Sequence, residues 1–213
     1  MLVSDVRRFA FIHIPKTAGS SITEALAPYI ELPRKPLSRK PKEHSTWHRE
    51  YQYRGSPVHG TLDHSMVSHL WNEKKDTHLF FTVVRNPYSR LLSVYLSHGP
   101  KWKVPFSKLY SFKEFVKLVG KKDPSVNGTN STLSQSHWYR PGMVCLRFEN
   151  IEREFVSLCE TRLGFNKGQI KLPHRMEKSG DCSKYQQIYT PKMREIMEKV
   201  YEHDLKEWEY SFE

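Results

Sequence analysis

The sequence predicts an α/β fold: one domain over residues 1–213, in three layers, α/β/α, around a mainly parallel sheet. Three observations carry that expectation. Two short apolar runs, residues 9–14 and 79–84, each pass through a turn into a stretch of helical character. A third pairing of the same kind, residues 146–150 followed by 151–163, comes later in the chain. Strands that alternate with helices in this way form parallel sheets covered on both faces. A chain of 213 residues is long enough for one good core and short for two.

The first run, Phe9-Ala10-Phe11-Ile12-His13-Ile14, is rich in aromatic and β-branched residues, with His13 its one strongly polar member. Pro15 should end the strand. Lys16, Thr17, Ala18, Gly19, Ser20 and Ser21 then bring small side chains, hydroxyls and one lysine before the helical residues 22–29. At a strand-to-helix turn such residues let backbone N–H groups approach an anion closely, and the helix N-terminus adds partial positive charge. This reads as a phosphate cradle with a lysine at its lip. The plainer alternative is that Thr17, Ser20 and Ser21 cap a helix. The turn departs from the nucleotide-kinase pattern GxxxxGK[ST], since Lys16 precedes Gly19 instead of following it.

The second run, residues 79–84, places Arg85 where the strand leaves the sheet and Pro87 in the first turn of the next helix, where its missing N–H costs little. Ser93 falls about two helical turns further on. An arginine is the natural bidentate partner of a phosphate, and a hydroxyl adds one hydrogen bond. An arginine paired with a carboxylate at the sheet edge is the competing reading.

The stretches HIPKTAGSS and VVRNPYSRLLSVY together resemble the two nucleotide signatures of the sulfotransferases, most closely the carbohydrate branch with the heparan-sulfate 2-O- and 6-O-sulfotransferases and small microbial relatives. The resemblance implies a phosphate-binding-loop fold and the donor 3′-phosphoadenosine 5′-phosphosulfate (PAPS). Carried over residue by residue, it implies that Lys16 meets the bridging oxygen of the phosphosulfate. Thr17, Ala18, Gly19, Ser20 and Ser21 would wrap the 5′-phosphate, and Arg85 and Ser93 would hold the 3′-phosphate. Residues 172–179, with Arg175 and Lys178, resemble the late loop that closes over the nucleotide. No metal is implied.

Sulfuryl transfer needs a base for the acceptor hydroxyl and relief of charge on the departing phosphate. Relatives carry a histidine some twenty-five residues before the arginine of the second signature, and His59 stands 26 before Arg85. His59 is therefore the expected base, His64 the runner-up and His44 a weaker third. His13 is expected to pack beneath the phosphate turn or orient it.

Lys and Arg number 34 against 23 Asp and Glu, a formal net charge of +11, and they are dispersed along the chain. Such a surface favours anionic nucleotides and polyanions. Residues 31–54 mix Pro, Lys and Arg with Trp47, Tyr51 and Tyr53. They read either as a groove for an acidic polysaccharide or as a solvated loop with aromatic residues tucked inward. The expected acceptor is a saccharide or anionic polysaccharide. No nucleic-acid fold motif is recognised. Two rival functions remain: a kinase-like phosphotransferase and a non-catalytic polyanion binder.

Cys145, Cys159 and Cys182 form no CxxC pair, so neither a zinc site nor a disulfide framework is indicated. Cys145 is expected to be a small core residue. No apolar stretch reaches the length of a membrane span, and the chain is expected to be cytoplasmic as written, or Golgi-lumenal as an excised domain. Phe112, Phe115, Val116 and Val119 predict one amphipathic helix. Thr190-Pro191 predicts the cap of a final helix with a stripe of Met193, Ile196, Val200 and Leu205. Residues 121–134 read as loop, and Gln135, Ser136, His137 and Trp138 fall where relatives contact the acceptor.

Overall fold

The computed structural model describes residues 2–30, 64–99, 104–128, 130–173, 182 and 184–212. Strands β1 (Leu2–Ser4) and β2 (Phe9–Ile12) lead into helices α1 (Gly19–Leu26) and α2 (His64–Lys74). Strand β3 (Leu79–Val84) is followed by helices α3 (Pro87–Ser97), α4 (Phe112–Gly120) and α5 (Pro124–Asn127). Strand β4 (Val144–Arg147) then precedes helices α6 (Ile151–Arg162), α7 (Pro191–Val200) and α8 (Glu202–Glu207). The described residues divide into two compact units.

The first unit holds the sheet, in the order β1-β2-β3-β4. β2 and β3 are parallel, with Phe9 opposite Leu79 and Ile12 opposite Thr82, as alternating strands and helices require. The Thr82 hydroxyl donates to the Ile12 carbonyl at 2.7 Å, so this strand polar group is satisfied inside the sheet. β1 is antiparallel to β2, Leu2 facing Phe11, which makes the sheet mixed at this edge. Residues 2–4 are too few to show a period in the sequence, and their three side chains are all buried. The core of this unit packs Phe9, Phe11 and Phe81 against Ile22, Leu26, Phe155 and Leu158. Each such buried side chain contributes about 1.5–3 kcal/mol of apolar transfer. Cys159 lies in this core as a free thiol, its pKa pushed up to about 12 by burial. Cys145, expected inside, is only half-buried because β4 presents three of its four residues partly to the surface.

The second unit is helical. Its core joins Tyr88 and Leu92 of α3, Phe115, Val116 and Val119 of α4, and Met193, Met197 and Tyr201. A reciprocal capping box, Ser111 with Glu114, starts α4. Thr190 caps α7, with Pro191 in its first turn. The expected single final helix is two, because the backbone leaves helical geometry at Tyr201 (φ −113°, ψ 24°). Tyr201 is fully buried, and its hydroxyl donates to the Thr132 carbonyl at 2.5 Å. The buried stripe therefore runs Met193, Met197, Tyr201, with Ile196, Val200 and Leu205 packed at its margin.

Candidate active site

Register sets the site. Three residues beyond the Ile12–Thr82 pair stand Pro15, past the end of β2, and Arg85, just past the end of β3. Pro15, Lys16, Thr17 and Arg85 all belong to the second unit. Arg85 is buried; its Nη1 donates to the Lys16 carbonyl at 3.3 Å and its Nε to the Ser89 hydroxyl at 2.9 Å. Lys16 has φ 66° and Ala18 φ 65°, a left-handed geometry uncommon for residues with a Cβ.

The Arg85 main chain is held as firmly as its side chain. The Gln135 amide accepts from the Arg85 N–H at 2.9 Å and donates to the Arg85 carbonyl at 2.8 Å. Gln135 is itself placed by the fully buried carboxylate of Asp204, which accepts from the Gln135 N–H at 2.7 Å, the Ser136 N–H at 3.0 Å and the Ser134 hydroxyl. Asn86 caps α3 by accepting from the Tyr88 N–H at 3.0 Å, and its amide donates to the Ser211 carbonyl at 2.8 Å. The Tyr210 hydroxyl donates to the Val84 carbonyl at 3.3 Å.

Ser93 is fully buried, and its hydroxyl has no hydrogen-bond partner among the described residues. Buried hydroxyls are nearly always paired, so an orphan two turns beyond Arg85 points to a ligand oxygen. Arg90, on the same helix, is also buried and donates to three main-chain carbonyls: Pro15 at 3.0 Å, Leu133 at 2.9 Å and Ser131 at 2.9 Å. Burial pulls its pKa down, against the attraction of Tyr201 and Asp204 and with the repulsion of Arg85. His98, at the end of α3, is pushed down to about 3 by burial and by the charges of Lys16 and Arg90, and is neutral at physiological pH.

In the first unit, α1 begins at Gly19 with Ala18 at the N-cap, a residue with no side-chain oxygen to offer, and its first turn holds no acidic residue. The N-cap position is thus Ala18 and not Thr17, Ser20 or Ser21, with no side-chain capping bond, and a helix N-terminus favours an anion. His13 stacks on Phe11, with ring centroids 6.0 Å apart, and its ring lies so close to Gly19 that any Cβ there would collide with it. His13 therefore supports the turn from below and sets the size of residue 19.

His44, His59, Arg175 and Lys178 lie outside the described residues, and His64 opens α2. Gln135 and Trp138, expected near an acceptor, are buried. Gln135 braces Arg85 instead. Sequence reasoning passed over Arg90, His98 and Asp204, and it did not see Gln135 as a brace. Arg90 had a visible signal, a cation beside Leu91 and Leu92 on a helix without other charges; the other two had none. Among the described residues no cluster of three or more His, Cys, Asp or Glu could hold a metal ion, and no helix is long and apolar enough to cross a membrane.

No curated protein and no solved structure matches this chain. The family model of the sulfotransferases matches residues 1–211. That match covers both strand-to-helix segments and every described element, and the four-stranded mixed α/β architecture agrees with it. With its turn, its paired arginines and nearly its whole length accounted for, the chain belongs to the sulfotransferase family.

Proposed function

We propose that this protein moves a sulfuryl group from PAPS to a hydroxyl of a saccharide or anionic polysaccharide. The observation that supports the donor most directly is the buried, unpartnered Ser93 hydroxyl on the helix that follows Arg85. A guanidinium with a spare hydroxyl nearby suits a terminal phosphate. The uncapped start of α1 suits a second anionic group. A donor with phosphates on both sides of its ribose carries two such groups.

The bound donor supplies the sulfuryl group and a phosphate as leaving group. Arg85 and Ser93 take the 3′-phosphate, and Thr17, Ala18, Gly19, Ser20 and Ser21 wrap the 5′-phosphate. Lys16 neutralises charge on the bridging oxygen as the sulfur–oxygen bond breaks, a preorganised electrostatic effect. His59, with His64 as the runner-up, takes the proton from the acceptor hydroxyl as its oxygen bonds to sulfur. Arg175 and Lys178 add cations for the nucleotide. The net charge of +11 favours an acidic acceptor.

Calorimetric titration tests the donor. Adenosine 3′,5′-bisphosphate should bind without metal and more tightly than magnesium-ATP; the reverse order would overturn the reading in favour of a kinase. A radiolabelled sulfuryl donor offered with a panel of saccharides should label one class, and His59→Ala should stop labelling while leaving bisphosphate binding intact.

A further inference from the structure

Burying a guanidinium is costly unless its donors are matched. Arg90, 1 % exposed, matches three of them with main-chain carbonyls of two different segments, Pro15 on one side and Ser131 and Leu133 on the other. Arg85 holds the next carbonyl of the turn, that of Lys16. Two successive carbonyls are thus gripped by two arginines of one strand-helix connection. Between and just after them the chain takes left-handed geometry at Lys16 and Ala18. Unfavourable backbone conformations of this kind persist where their surroundings over-determine them. A planar, rigid fork is the side chain that can do so from beneath; a lysine ammonium is a point charge with no fixed fork.

We propose that Arg90 is a positioning residue for sulfuryl transfer: it clamps the Pro15 carbonyl so that the following lysine is delivered to the leaving phosphate, without touching the nucleotide itself. The inference rests on the donor assignment above. Arg85 and Ser93 lie outside its direct action, so loss of the clamp separates turnover from binding.

The variant to make is Arg90→Lys, which keeps the charge and loses the fork. The affinity for adenosine 3′,5′-bisphosphate should stay within about threefold, while kcat falls about 10–100-fold with little change in the donor KM, the scale expected when a catalytic group is displaced by about 1 Å. Amide exchange of the ligand-free variant should rise across residues 16–19 and stay unchanged in β3. Wild-type kcat per folded molecule, or unchanged exchange at 16–19, overturns the proposal. If Arg90→Lys does not fold, Arg90→Ala supplemented with millimolar guanidinium replaces it; protection at 16–19 should return with the added ion, and its failure to return is equally fatal. If the wild-type protein does not bind the bisphosphate, the donor assignment falls, while the exchange comparison still reports whether Arg90 holds the turn.

Discussion

Gln135 and Arg85 form a closed pair in which one side-chain amide serves both main-chain groups of the arginine, accepting at 2.9 Å and donating at 2.8 Å. The amide acts as a one-residue strand partner at the point where β3 ends. It fixes the main chain from which the Arg85 guanidinium projects, and Asp204 fixes it in turn.

Replacing Gln135 by Leu should therefore leave a buried N–H and a buried carbonyl without partners. Each such group costs about 1–3 kcal/mol, so the variant should lose roughly 2–6 kcal/mol. Urea unfolding followed by tryptophan fluorescence measures it. A loss below about 1 kcal/mol would mean that the main chain of Arg85 is held by other means.

Ser93→Ala should separate stability from binding. The hydroxyl has no partner among the described residues, so removing it should be neutral or stabilising, by up to about 1 kcal/mol. The affinity for adenosine 3′,5′-bisphosphate should fall about tenfold, or about 1.4 kcal/mol. A melting curve and a titration on the same preparation decide it; undiminished affinity would remove Ser93 from the phosphate site.

Gly19→Ala should destabilise by about 1–3 kcal/mol through overpacking, because the new methyl meets the His13 ring. In a His13→Ala background the sign should reverse, since alanine favours helix over glycine by up to about 1 kcal/mol. A four-protein thermal cycle tests the coupling. Additive effects would show that His13 does not limit residue 19.

The depressed pKa of His98 makes stability fall with acid. Its folded value is about 3 against an ordinary 6.5, so the unfolded chain binds the extra proton between those limits. Stability is fully present above pH 6.5 and drains away as pH falls from there toward about 3, with a limiting slope of about 1.4 kcal/mol per pH unit for one proton. His98→Gln should flatten that limb. Urea midpoints of both proteins between neutrality and mild acid measure the difference, and parallel curves would refute it.

What the sequence disclosed was whatever is written in neighbouring residues. β3, the start of α3 at Pro87 and the amphipathic face of α4 are local patterns, and the structure has them. The place of Arg85 at the end of β3 and of Ser93 two turns along α3 was legible from strand length and helical spacing. The brace was not. Gln135 and Asp204 are ordinary polar residues until folding carries them 50 and 69 positions back to their partners. The two-residue-per-turn logic of a strand also needs length, and β1 has only three residues. The break at Tyr201 has a tertiary cause, the hydrogen bond of its hydroxyl to Thr132, which a helical stripe does not announce.

The contact of Tyr210 with Val84 joins positions 126 apart. During translation Arg85 leaves the ribosome long before residues 204–211 exist, so the nascent chain carries this arginine on a strand end that Asp204 and Tyr210 have not yet braced. The hold on the early half of the molecule arrives with residues made much later.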